Sequence, residues 1–281
     1  MTDMVKGKVA FVTGAARGQG RAHALKLASE GADIIAVDIC ERVGTIPYPM
    51  ATEGDLAQTV AAIEALGRKV VAAKVDVRDL DGMTVIVAEG VKTLGRLDIV
   101  CANAGIFSVA SALDMTADEW RDMIDINLTG VWNTVKASLP HLVAGGSGGS
   151  IILTSSANGV TGAPMYVHYV AAKHGVVGLV KGLAIELAKD RIRVNGLLPA
   201  GVATDMVRDF VDVMGMDARY VEPDPSQAGA ENPLKGILFD PADMSDPLLF
   251  LASDAARYVT GLMLHVDGIG LLHAESSGGN N

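Results

Sequence analysis

Cysteine is scarce in this 281-residue chain: there are two, Cys40 and Cys101. Two are too few for a disulfide framework. They fall near the ends of the second and fourth strand-like runs. With the first run lying between those two, their backbones stand two strand spacings apart, roughly 9–10 Å, which is beyond disulfide reach. No His/Cys cluster has metal-ligand spacing, so no metal is expected. Positive charge is also short, 23 Lys and Arg against 33 Asp and Glu for a net charge of −10. There is no basic patch or stripe, and nucleic acid is not an expected partner. Long apolar runs are missing too, because charges such as Lys181 and Glu186 break them, so no membrane span is expected. Met1–Lys8 runs straight into a strand without the layout of a signal peptide, which makes a cytoplasmic protein the expectation. With ten prolines, 20% charged and 49% hydrophobic residues, the composition is that of a globular chain, not a disordered one.

Glycine is plentiful, 32 residues, and it marks junctions between apolar runs. Strand-like segments at Lys8–Thr13, Asp33–Asp38, Val70–Val75, Leu97–Cys101, Ile151–Ser155, Ile192–Leu198 and Leu262–Val266 alternate with helical ones. The helices are expected at Gly18–Gly31, Asp55–Leu66, Asp79–Leu94, Thr116 to about Gly145, Met165–Lys189 and Pro241–Ser253. Thr52 with Asp55, and Thr116 with Glu119, have the spacing of capping boxes. Regular strand–helix alternation predicts a doubly wound α/β fold, a parallel sheet with helices on both faces, since each parallel crossover needs a returning helix. One domain is expected over 1–273. It includes an unusually long strand-to-helix connection at 40–54 and a poorly patterned loop at 201–240, and a flexible tail follows over 274–281.

The first strand leads into Thr13-Gly14-Ala15-Ala16-Arg17-Gly18-Gln19-Gly20, and a helix begins inside it. Glycines let the backbone turn tightly and approach a pyrophosphate, whose charge then sits at the helix N-terminus. A glycine pattern alone marks any tight turn. Here an acid, Asp38, follows about 20 positions on at the end of the second strand, the Rossmann-type arrangement. Its carboxylate can accept from an adenosine ribose and repels a 2′-phosphate, which favours NAD, while Arg17 is the one contrary sign. Asp76-Val77 after the third strand and Asn103-Ala104-Gly105 after the fourth fall at the same carboxyl edge of the sheet, where such folds place their ligands.

Tyr169 and Lys173 are four residues apart and share a helix face. The spacing is common by chance. Its company is not, because Ser156 stands thirteen residues before Tyr169, just past a strand, in a chain that opens with a nucleotide loop. On the glycine motif, Asp38, Asp76, Asn103-Ala104-Gly105, Asn127, Ser156, Tyr169, Lys173, Pro199 and Thr204, the sequence resembles the short-chain dehydrogenases/reductases over essentially its whole length. Ala102 replaces an asparagine frequent in that family, and Ala200 is inserted between Pro199 and Gly201. The insertion bears on where Val202 and Thr204 meet the nicotinamide amide.

The resemblance implies an oxidoreductase in which Tyr169 is the acid/base and Ser156 bonds the substrate oxygen. Lys173 would stabilise the phenolate and hold the nicotinamide ribose, and Asn127 would position a relay water. Physical chemistry agrees with the tyrosine's role. A phenol titrates near 10, and an ammonium about 5 Å away at an effective dielectric of 20 favours phenolate by roughly 3 kcal/mol, a fall of about 2 units. Cofactor contacts are expected from Gly14, Arg17, Gly18, Gln19, Gly20, Asp38, Asp76, Val77, Asn103, Ala104, Gly105, Tyr169, Lys173, Pro199, Val202 and Thr204.

A narrower resemblance rests on Ala15–His23, Ala36–Cys40 and the added Glu41–Gly54. It is to the mycofactocin-associated subgroup, which includes carveol dehydrogenases, and it implies tightly held NAD and an external redox partner. An apolar secondary alcohol such as a terpenol, or its ketone, is the expected substrate, under a loop carrying Met206, Phe210, Val213, Met214 and Met216. The alternatives are a 3-oxoacyl-carrier-protein or steroid-type reductase on the same scaffold, and a non-catalytic nucleotide-binding regulatory protein. The helix after Tyr169 is apolar on more than one face. Family resemblance implies that it and the helix ending at Gly145 pair between subunits of a homotetramer.

Overall fold

The computed structural model describes residues 3–207 and 239–268. Most of the 201–240 loop, with Phe210, Val213, Met214 and Met216, and the tail at 274–281 lie outside the described residues. Seven parallel strands form one sheet: β1 (Val9–Thr13), β2 (Asp33–Asp38), β3 (Val70–Lys74), β4 (Ile99–Ala102), β5 (Gly149–Thr154), β6 (Ile192–Pro199) and β7 (Met263–Val266). Their order is β3-β2-β1-β4-β5-β6-β7. The chain winds outward from β1 through β2 to β3, then returns to lay β4 on the other side of β1. The carboxyl ends of β1 and β4 therefore flank the crevice where the winding reverses, the place an open α/β sheet offers a ligand.

Alternate residues of each strand feed two cores. Val9, Phe11, Ile35, Val37 and Val100 face α3 (Leu80–Leu94), α5 (Gly130–Gly145) and α6 (Val167–Leu187). Ala10, Val12, Ile34, Ala36 and Cys101 face α1 (Gly18–Ser29), α2 (Glu53–Ala65) and α7 (Pro241–Ala252). Burial on both faces explains why the strands read as continuous apolar runs. Cys40 and Cys101 are buried and unbridged, with β1 between their strands as expected.

The expected boundaries shift where capping decides them. Thr52 accepts from the Asp55 amide and Asp55 accepts from the Thr52 amide, so α2 starts at Glu53 instead of Asp55. The same box at Thr116 and Glu119 starts α4 (Ala117–Ile124). The one long helix expected from Thr116 to Gly145 is instead α4, a π turn at Asp125–Thr129, and α5. Apolar periodicity cannot show a single inserted residue. Such turns concentrate at functional sites, and Asn127 lies inside this one.

Candidate active site

The glycine loop is shaped by contact with the chain after β4. Gly14 has a left-handed φ of 69°, and a Cβ there would stand 2.9 Å from the Ala104 Cα. A side chain at Gly20 would collide with the Gly14 carbonyl. Thr13 locks the two segments together: its Oγ1 accepts from the amides of Asn103 and Ala104, both at 3.1 Å, and its carbonyl accepts from Asn103 Nδ2 at 3.1 Å. The Asn103 side chain is thus spent on the scaffold.

A cleft opens above this junction. Gly14, Arg17, Gly18, Gln19, Gly20, Asp38, Asp76, Val77, Asn103, Ala104, Gly105 and Thr204 line it, twelve residues that sequence had placed at the nucleotide. Pro199, at the end of β6, and Val202, buried and bridged to Phe239, are not in its wall.

Asp38 is buried. Its two oxygens accept from the amides of Ala16 at 3.0 Å and Cys40 at 3.1 Å. Burial pushes its pKa up, against those amides and the nearby Arg17. The Ile39 amide also favours the charged form of Asp38, so of a carboxylate's roughly four acceptor sites these amides leave about one for a hydroxyl donor. Arg17, the contrary sign in the sequence, donates to the Pro49 carbonyl at 2.7 Å.

Segment 40–54 is part of the cleft. Val43, Ile46, Tyr48 and Ala51 are buried, and Val43, Tyr48, Met50 and Ala51 line the wall. Thr45 donates to Asp122 of α4 at 2.7 Å. Asp122 also takes Arg78, which in turn grips Asp76. Sequence had marked the segment by its length, but its wall residues carry no motif and are visible only in the fold.

The chemical group sits beside the cleft. Tyr169 and Lys173 lie in the first turns of α6, and Ser156 follows β5. Ser156 stands near enough to the Tyr169 phenol to draw its pKa down, but burial outweighs this and holds the phenol above its ordinary value. Lys173 is buried, 5.5 Å from the centre of the Tyr169 ring. Its Nζ donates to the Thr154 carbonyl at 2.9 Å, and burial pushes it down to about 8. The fall expected for the phenol is therefore not the direction the protein imposes. The ammonium is near as expected, but desolvation penalises both charged forms. Gly105 joins the two ends: a Cβ there would stand 3.2 Å from Asn127 Oδ1 and 3.8 Å from Lys173 Nζ.

Asn127 spends its amide on Ile106, accepting from the Ile106 amide and donating to the Ile106 carbonyl, both at 2.8 Å. Sequence gave no sign of the ring cluster beside Tyr169. Phe107 meets Tyr169 edge-on at 5.1 Å and Tyr166 at 5.2 Å. Among the described residues no group of acids, histidines and cysteines could hold a metal, and no helix is long and apolar enough to cross a membrane.

Comparison with known proteins agrees with this architecture. Residues 8–214 match the short chain dehydrogenase family. The chain is 50% identical over 273 residues to (-)-trans-carveol dehydrogenase of Rhodococcus erythropolis, covering 94% of this chain and 97% of that one. It superimposes on the crystal structure of carveol dehydrogenase from Mycobacterium avium in complex with NAD with a TM-score of 0.88. The two are 48% identical, with 96% and 99% of the chains covered. An NAD-bound short chain dehydrogenase from Mycobacterium paratuberculosis gives 0.89 at 46% identity, again covering 96% and 99%. The fold and site define a dinucleotide-dependent oxidoreductase. The chain belongs to the short-chain dehydrogenase/reductase family and is an enzyme of that class.

Proposed function

We propose that this enzyme interconverts an apolar secondary alcohol, a carveol-like terpenol, and its ketone, with NAD as cofactor and Tyr169 as acid/base. The observation that carries the reading is the buried group of Ser156, Tyr169 and Lys173, with the Lys173 ammonium 5.5 Å from the centre of the Tyr169 ring. It stands beside a glycine-built cradle whose shape a single Cβ at Gly14 would spoil. The cradle fits a dinucleotide: backbone would face the pyrophosphate, and Asp38 would take a ribose hydroxyl and repel a 2′-phosphate. NAD, when bound, supplies the hydride acceptor. Ser156 and Tyr169 hold the alcohol oxygen, and the phenolate of Tyr169 removes its proton. Lys173 holds the ribose and passes the proton on. The amide of Asn127 braces Ile106, so a relay water would be held by the main chain of the π turn. The terpenol reading is supported by the carveol dehydrogenase relative and by exposed apolar residues flanking Tyr166, namely Met165 and Val167.

Segment 40–54 closes over the adenosine end and slows cofactor release, so an external redox partner of the mycofactocin type reoxidises the bound nicotinamide. The reading rests on the burial of Tyr48 and the tie between Arg17 and Pro49. Exposed Trp120, Trp132, Val143 and Ile185 on α4, α5 and α6 suit the subunit contacts of a cytoplasmic homotetramer. To test the closure, freshly purified protein is denatured and the released nucleotide assayed, with turnover measured on free NAD and on an artificial electron acceptor. Bound NAD(H) and turnover restored by the acceptor are expected. An empty site with rapid turnover on free NAD would leave an ordinary exchanging dehydrogenase.

A further inference from the structure

Three consecutive residues of the turn after β4 are each tied to a different element. Ile106 is clamped through both its amide and its carbonyl by Asn127 of the π turn. The Phe107 amide donates to the Tyr48 hydroxyl of segment 40–54 at 3.1 Å. The Ser108 hydroxyl lies 2.9 Å from Nε2 of His168, the residue before Tyr169. Tyr48, Ser108, Asn127 and His168 are all buried, so these ties form where hydrogen bonds hold geometry most firmly. The Phe107 ring then meets Tyr169 at 90° and Tyr166 at 64°, and the two tyrosine rings lie 6.3 Å apart. Edge-to-face contacts are the arrangement ring quadrupoles favour.

We propose that the 106–108 turn couples segment 40–54 to the acid/base, with Phe107 as the positioning residue that orients the Tyr169 ring and Tyr48 as the residue that sets where Phe107 stands. Among the described residues, Ser156 acts on Tyr169 at its hydroxyl and the Lys173 ammonium stands 5.5 Å from its ring centre. The Phe107 edge contact therefore governs the angle at which the phenol meets an oxygen. Small misplacements of a reacting group are costly in rate. Order in the 40–54 segment thus reaches the proton-transfer step through the 106–108 turn. The coupling rests on Tyr169 being the acid/base, and the experiment separates the two.

Full-length protein with its bound nucleotide is mixed with trans-carveol as probe, and the single-turnover rate, half-saturating carveol and nucleotide content are measured. Tyr48→Phe, which removes the acceptor of the Phe107 amide, and Phe107→Leu, which removes the ring contact, should each slow the single turnover about two- to tenfold, the fold-change that one hydrogen bond or one ring contact is worth. Half-saturating carveol should stay within about twofold in both, and bound nucleotide within about twofold in Phe107→Leu. Phe107→Tyr keeps the ring edge and should restore the rate. The double variant should lose less than the product of the single losses, the mark of coupled sites. Should Phe107→Leu melt early, Phe107→Met takes its place. Hydrogen exchange supplies a readout that needs no turnover: Tyr48→Phe should speed exchange in peptides covering 105–110 and 166–173. Exchange changes confined to 40–54, or wild-type rates in both single variants while Tyr169→Phe is dead, would overturn the coupling alone. An active Tyr169→Phe would overturn the acid/base reading and the coupling with it.

Discussion

The nucleotide end and the chemical end of this site are built on opposite plans. At the nucleotide end the polar side chains mainly hold backbone. Asp38 takes two amides, Asn103 takes the Thr13 carbonyl and Arg17 takes the Pro49 carbonyl. The cradle is then a surface of main chain that any side chain at Gly14 or Gly20 would spoil. On the proposed mechanism the side chains of the chemical end are the reagents, and burial shifts them both: Tyr169 upward and Lys173 down to about 8. On that reading binding is distributed over many small contacts, while reactivity is concentrated in a few desolvated groups. The two ends should fail differently when mutated.

The largest difference should come from Tyr169→Phe. Losing the phenol removes a proton carrier and no cofactor contact of comparable weight, so turnover should fall at least about 10²-fold while NAD affinity stays within a few-fold. Stopped-flow turnover paired with a nucleotide titration checks both halves. Comparable losses in the two would mean that the ends are not separable. The same burial sets the pH response. Oxidation requires phenolate, and the phenol sits above its ordinary value, so alcohol oxidation should climb with pH through the alkaline range, while ketone reduction, which needs the protonated form, should fall. An oxidation rate flat with pH would argue that a group other than Tyr169 takes the proton.

Asp38→Ala should break the other end at smaller cost. A ribose loses a hydrogen bond to a charged acceptor, about 1.5–3 kcal/mol, and the loop loses the anchor of Ala16 and Cys40. NAD should bind at least about tenfold more weakly, NADP discrimination should relax, and the single-turnover rate at saturating NAD should change little. Equal weakening toward both nucleotides would assign Asp38 to the scaffold alone.

The two plans also explain what was legible. The glycine loop, Asp38 and the Ser156–Tyr169–Lys173 spacing are local patterns with local physical meaning, and strand–helix alternation was enough for the sheet. The π turn at Asn127 was hidden because apolar periodicity runs through it. The roles of Tyr48, Thr45 and Phe107 were hidden because each depends on a partner tens of residues away. The shift of Tyr169 was misjudged because the Coulomb attraction of Lys173 can be read from spacing, whereas desolvation depends on everything packed around both groups.

The smallest effect lies behind the nucleotide end, on the helix that follows the glycine loop. His23 of α1 is fully buried, with Nδ1 2.9 Å from Ser245 Oγ on α7. Burial lowers its pKa from 6.5 to about 3. Between those values the unfolded chain carries the proton and the native protein does not. Stability is then lost as pH falls below 6.5 toward 3, by at most about 1.4 kcal/mol per pH unit from this one group. His23→Gln keeps a polar partner for Ser245 but cannot titrate, so its stability should fall less steeply over the same range. Urea unfolding of both proteins at pH 7, 6 and 5 (a range of about two units) measures the difference in slope, which should approach the single-group limit of about 1.4 kcal/mol per unit at the acid end. Parallel slopes would show that His23 is protonated in the native state. The packing of α1 against α7, and with it the support of the glycine loop, would then need a partner for that charge.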